Sequence, residues 1–130
     1  MQDYKKLKVW EKAHAFTVTV YAATRAFPKD EVYALTSQIR RCAVSVPSNI
    51  VEGCGRGSNP ELVKFLYYSL GSANELEYQL LLSRDLGYVS TEAHAPLAGS
   101  VLEIKRMLAA LIVTIKQGPD GKQSRPTDKL

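Results

Sequence analysis

Two cysteines, two histidines and one tryptophan in 130 residues leave little material for metal, disulfide or thiol chemistry. Cys42 and Cys54 stand twelve apart, about 120° around the axis of a continuous helix. They form no CxxC pair, and neither histidine sits at ligand spacing from them. Both are read as reduced packing or loop residues, the usual fate of a free cysteine. Long hydrophobic runs are missing as well. Uncharged stretches such as 44–51 are too short and too polar to cross a bilayer, and MQDYKKLKVWEK has no apolar core of the secretory kind. A cytoplasmic protein with no membrane partner is expected. Nor does any segment alternate with period two for long enough to make a strand, which excludes β architectures.

What is present is ordinary in amount and informative in arrangement. Apolar residues make up 45% and charged residues 23%, a balance that argues for a packed core and against disorder. One domain fits this length. Seventeen Lys and Arg against thirteen Asp and Glu give a net charge of +4. Much of the excess is local, because Lys5, Lys6, Lys8 and Lys12 crowd the start and KQGPDGKQSRPTDKL adds basic residues at the end. Such a balance permits nucleic-acid contact without requiring it.

Four segments show helical periodicity. In the first, Val9, Ala13, Phe16, Val20, Ala23 and Phe27 share a stripe that Pro28 closes. The second runs from about Glu31 to Glu52 with Leu35, Ile39, Val46 and Ile50 in line, and Gly53, Gly55 and Gly57 end it. The third opens with SNPE, where Asn59 reads as the N-cap and Pro60 as the first helical residue, and it extends to about Leu86. The fourth begins near Ser90 or Thr91 and carries Leu97, Val101, Ile104, Leu108, Leu111 and Ile115, with a bend or restart expected at Pro96. Gly118 and Pro119 stop it. Short connections between long helices imply an all-α, antiparallel up-down-up-down four-helix bundle over residues 1–117, followed by a disordered polar tail at 118–130.

The third helix is apolar beyond one stripe. Leu62, Leu66, Ala73, Leu76 and Leu80 suit a core, yet Phe65, Tyr67, Tyr68, Leu70, Tyr78, Leu81 and Leu82 spread around the remaining circumference. The second helix adds Val44, Pro47 and Val51 on a stripe away from Ile39, Val46 and Ile50. Helices that are apolar on two sides are usually covered on two sides, so an oligomer is expected.

The polar residues admit a packing role and a binding role. Arg41, Ser45, Ser48 and Glu52 fall on one line of the second helix, and the third carries Glu75 and Glu77. On the packing reading, Arg40 or Arg41 pairs with Glu75 or Glu77, while Ser45 and Asn49 satisfy backbone groups freed by Pro47. On the binding reading these arginines, or Arg56 among Gly55 and Gly57, meet a phosphate. GCGRGSNP is neither a Walker A loop nor a dinucleotide fingerprint.

No catalytic constellation stands out. A di-iron bundle needs two Glu-x-x-His motifs, and Glu11 with His14 is a lone match. Glu75 and Glu77 are about 200° apart on a helix and cannot share a metal from one face. Arg84 and His94 are separated by a turn, and no Ser-His-Asp or Cys-His spacing occurs. A non-enzymatic protein without metal or cofactor is expected.

The blocks KLKVWEKA, VYAATRAFPKDEVYALTSQIRRCAVSVPSNIVEGCGRGS and FLYYSLGSANELEYQLLLSRDLGY resemble the four-helix proteins encoded in intervening sequences of bacterial 23S ribosomal RNA genes. The most specific part is QIRR, SVPSNIVEG and the GS that follows, and the resemblance spans about residues 5 to 116. It implies a ring-like homopentamer. It also implies a relation to the accessory variability determinant of diversity-generating retroelements, a basic pentamer thought to bind nucleic acid and a reverse transcriptase. Carried over, the tentative nucleic-acid contacts are Arg40, Arg41 and Arg56, joined by Lys5, Lys6 and Lys8. Ser45, Asn49, Glu52, Glu75 and Glu77 form the polar cluster assigned to structure. The expected function is an oligomeric RNA- or DNA-binding or ribonucleoprotein scaffold, the alternative being a scaffold for another protein that never touches nucleic acid.

Overall fold

The structure, a computed structural model, describes residues 2–118. The tail expected from 118 onward therefore lies almost wholly outside the described residues. Those residues hold four α-helices and no strand: α1 Lys8–Ala23, α2 Leu35–Cys54, α3 Asn59–Asp85 and α4 Thr91–Gln117. Single 3-10 turns at Tyr4–Lys6, Thr24–Ala26 and Lys29–Glu31 precede α1 and link α1 to α2.

Local chemistry sets the helix ends. α2 starts later than Glu31 because Lys29–Glu31 is a separate turn, and the Glu31 carboxylate accepts the Leu35 N–H at 3.2 Å. The N-cap of α3 is Ser58 and not Asn59. Its hydroxyl oxygen accepts from the Glu61 N–H at 3.3 Å, and Asn59 is already helical. Ser90 caps α4 in the same way through the Ala93 N–H at 3.0 Å. Gly57 and Gly87, with φ of 87° and 82°, make the turns on either side of α3, where a side chain would be strained. Pro96 does not restart α4, which runs unbroken from Thr91 to Gln117 although the missing N–H leaves the Glu92 carbonyl without its helical donor.

One core cluster collects the predicted stripes. Val20, Ile39, Leu66, Leu76, Val101 and Leu108 are all fully buried. Contacts between helices pair rising numbers with falling ones. Thr17 meets Ala43 and Thr24 meets Arg40; Ser69 meets Val46 and Ser72 meets Ser45.

Pro47 shows how α2 tolerates a proline. Lacking an N–H, it leaves the Ala43 carbonyl without its helical donor. The Thr17 hydroxyl of α1 lies 3.0 Å from that carbonyl and 2.8 Å from the Ala13 carbonyl of its own helix, sharing its one proton between them, and Ser69 of α3 donates to the Val46 carbonyl at 2.8 Å. Ser45 and Asn49, expected to do this, instead bond each other: Asn49 Nδ2 lies 2.9 Å from both the Ser45 carbonyl and its hydroxyl. Pro47 itself is buried, so the second apolar stripe of α2 reduces to an exposed Val44 and a half-buried Val51. On α3 the expected outer residues divide. Tyr67, Tyr68 and Tyr78 are about half exposed, whereas Leu70 and Leu82 pack against the core.

Candidate functional site

The candidate binding residues fall into two groups at different levels of the fold. At one end, the chain start docks on the last turn of α2, with the Gln2 N–H donating to the Cys54 carbonyl at 3.2 Å. Lys5, Lys6 and Lys8 are exposed there. Gly53 permits the close approach of α3, since a Cβ at this position would lie 2.9 Å from Phe65 Cβ. Arg56 projects beside it, its Nε 3.6 Å from Glu52 and 3.7 Å from Glu61, and its guanidinium 4.8 Å over the Phe65 ring. Both carboxylates are substantially exposed, so these pairs contribute little to stability. They do offset the local positive charge.

Arg40 and Arg41 stand about 20 Å further along α2, roughly fourteen residues before its end. Arg40 does not reach α3. Its Nε donates to Thr24 Oγ1 at 2.9 Å, its Nη2 to the Tyr21 carbonyl at 3.2 Å, and its guanidinium lies 4.7 Å over the Tyr21 ring. Arg41 is exposed and enters no ion pair among the described residues. The predicted pairing with Glu75 or Glu77 therefore does not form. Glu77 accepts from Lys105 of α4 at 2.7 Å, and Glu75 accepts weakly from Gln79 at 3.4 Å. The cause is rotational: Arg40 points toward α1, while Glu77 points toward α4.

An open groove of about 630 Å³ runs between α1 and α2, lined in part by Tyr21, Val32, Ser37, Arg40, Arg41 and Ser48. Ser45, which also lines this groove, shares a hydrogen bond of 2.8 Å with Ser72 between α2 and α3. Thus Ser45 and Asn49 form one network, Glu52 belongs with Arg56, and Glu75 and Glu77 are separate.

Several polar residues escaped sequence reasoning. Thr24, Ser69 and Ser83 are buried and donate their hydroxyls to backbone carbonyls, and His94 is buried near the start of α4. The signal for Ser69 and Ser83 was available, since both extend the stripe of Leu62, Leu66, Leu76 and Leu80 at helical spacing.

Burial pushes the Cys42 thiol above its ordinary value, with Glu75 adding to the shift, and burial does the same to Cys54 with help from Asp3. A nucleophilic cysteine needs the opposite shift. Tyr88 is raised by donating its hydroxyl to Glu31 at 2.8 Å. His14 stacks on Trp10 at 5.3 Å. Among the described residues no three His, Cys, Asp or Glu side chains converge as a metal site, and no helix is long and apolar enough to cross a membrane.

Four helices around one core, with hydroxyl groups joining α1, α2 and α3, define the class as an all-helical protein of four helices. Within that class the chain belongs to the 23S rRNA-intervening sequence protein family, whose pattern matches residues 5–110. A crystal structure of a protein with unknown function from the S23 ribosomal protein family of Bacteroides thetaiotaomicron is similar to it. The likeness has 26% sequence identity and a TM-score of 0.75, covering 82% of this chain and 99% of that one. No curated protein matches the sequence.

Proposed function

We propose that this protein is a non-enzymatic, cytoplasmic scaffold that works as a homo-oligomer, its subunits antiparallel up-down-up-down bundles. The falling partner numbers between α1 and α2 and between α2 and α3 support that topology. The observation that carries the assembly is the outer face of α3, where Tyr67, Tyr68 and Tyr78 are 49%, 52% and 60% exposed. Leu81 is exposed as well. Tyr67 and Tyr78 fall on one line of α3 and Tyr68 about 100° from it, and exposed aromatic residues favour interfaces because each buries a large area at small entropic cost. A ring of five copies, as the family resemblance implies, gives every subunit two neighbours and so matches helices that are apolar on two sides.

The scaffold reading is tested by substituting Tyr68→Glu and Tyr78→Glu together. Helical content should persist while the assembly dissociates on a sizing column. An unchanged elution volume in the doubly substituted protein would contradict it.

A second reading has its own support, which is that Lys5, Lys6, Lys8 and Arg56 gather at one end. In a ring these ends would repeat around an axis and present phosphate-binding charge to RNA or DNA. Retention of structured RNA on a filter at low salt, falling steeply as salt is added, is the expected result. Absence of retention at low salt would leave a scaffold that recruits another protein.

A further inference from the structure

Arg40 is half-buried as a residue, with its Nη2 at the exposed edge, and the groups its guanidinium contacts are all neutral: the Thr24 hydroxyl, the Tyr21 carbonyl and the Tyr21 ring. A partly buried cation is ordinarily matched by a carboxylate. Neither Arg40 nor Arg41 has one within ion-pair distance among the described residues. The Glu31 carboxylate is occupied by the Leu35 N–H and the Tyr88 hydroxyl.

Arg40 is also fixed in place. Thr24 is 2% exposed and is itself anchored by donating to the Val20 carbonyl at 2.9 Å, so the group that orients the Arg40 fork cannot swing away. The rest of the fork is left with unspent N–H donors. Arg41, one residue on, lines the same groove, and so does Ser37, one turn earlier on α2. The Ser37 hydroxyl has no hydrogen-bond partner among the described residues.

We propose that the groove between α1 and α2 receives a phosphate ester, its phosphate held by Arg40, Arg41 and Ser37 and its organic part lying along Val32, Val44 and Ser48. Two guanidinium forks and a hydroxyl offer more donors than a carboxylate's two oxygens can accept, whereas three terminal phosphate oxygens carrying nearly two charges can take them. The groove follows α2 from Ser37 to Ser48, about 16 Å at the helical rise, so one phosphate fills only its first part. What remains has apolar walls with scattered hydroxyls, suited to a sugar or base. This site is distinct from the lysine-rich end and does not depend on nucleic acid binding there.

The test is an NMR and calorimetric titration of the full chain, at constant ionic strength, with inorganic phosphate, a nucleoside monophosphate, a short single-stranded oligonucleotide and acetate. Phosphate and the nucleotide should move the signals of Ser37, Arg40 and Arg41 and leave those of Lys5 and Arg56 in place, the nucleotide binding more tightly. Arg41→Gln, at an exposed position, should weaken binding about tenfold. Arg40→Lys, which keeps the charge and loses the fork, should weaken it also; if that variant folds poorly, Arg41→Gln decides alone. A nucleotide that moves the groove signals more strongly than the oligonucleotide supports a terminal monoester; an oligonucleotide that moves them more strongly, though its diester phosphates offer two free oxygens and one charge each, would overturn it. Acetate moving those signals as far as phosphate would overturn the proposal. So would an unresponsive groove at millimolar phosphate, including one covered by a second copy. An oligonucleotide that shifts only Lys5, Lys6, Lys8 and Arg56 while the groove stays silent would overturn this site and leave the nucleic-acid reading of the other end standing.

Discussion

Thr17 on α1 shares its one hydroxyl proton between the Ala13 carbonyl of its own helix at 2.8 Å and the Ala43 carbonyl of α2 at 3.0 Å, and the Ala43 carbonyl is the one Pro47 leaves without a helical donor. A helix break in one element is thus met by a side chain from another. Thr17→Val should cost about 1–2 kcal/mol, the penalty for orphaning a buried acceptor. In a Pro47→Ala background, where residue 47 supplies an N–H, the cost of Thr17→Val should shrink. A double-mutant cycle by urea unfolding measures the difference, and equal costs in both backgrounds would refute the coupling.

Gly53 should resist replacement. An added Cβ would meet Phe65 Cβ at 2.9 Å and Leu62 Cδ1 at 3.0 Å. Alanine at an ordinary helix position gains up to about 1 kcal/mol over glycine. Here the clash is with a Cβ that cannot swing aside, so Gly53→Ala should lower stability by about 1–3 kcal/mol. Thermal unfolding of the single variant decides the sign.

The two sides of α3 should respond differently to truncation. Leu76 is fully buried, and Leu76→Ala should cost about 2–5 kcal/mol. Leu81 is 37% exposed in the subunit. Leu81→Ala should therefore change unfolding little in dilute, dissociated protein and show its main effect on association. Comparing denaturation at low and high protein concentration separates the two.

The Tyr88 hydroxyl, which links the α3–α4 connection to Glu31, titrates above its ordinary value of about 10. The fold favours its protonated form, so this contribution is complete below that ordinary value and is lost as pH rises through the raised one. Stability should fall at strongly alkaline pH, and Tyr88→Phe should flatten that part of the profile. An identical alkaline slope in the variant would count against the bond.

Most of the fold was legible because helical stripes and their breakers are local properties. The stripe from Leu97 to Ile115 and the stops at Gly57 and Gly118 needed only spacing and backbone chemistry, whereas α1 ends at Ala23, ahead of the stop read at Pro28. Helix starts were harder, since Ser58 and Asn59 are both good caps and only the direction of one hydroxyl separates them. Partners across helices were not legible. Arg40 and Arg41 differ by about 100° on α2, and which neighbour each faces depends on how the helices rotate about their axes. That rotation put Arg40 against Tyr21 and Thr24 and sent Glu77 to Lys105. It also buried Pro47, which as a lone letter reads as an outward or breaking residue.

The exposed aromatic face of α3 bears most of the functional interpretation, and the mass of the native particle tests it most directly. Multi-angle light scattering at micromolar concentration should give a stable multiple of the 14.4 kDa chain, near five copies for the ring. A particle of one chain's mass at that concentration would contradict both the ring and the scaffold function built on it.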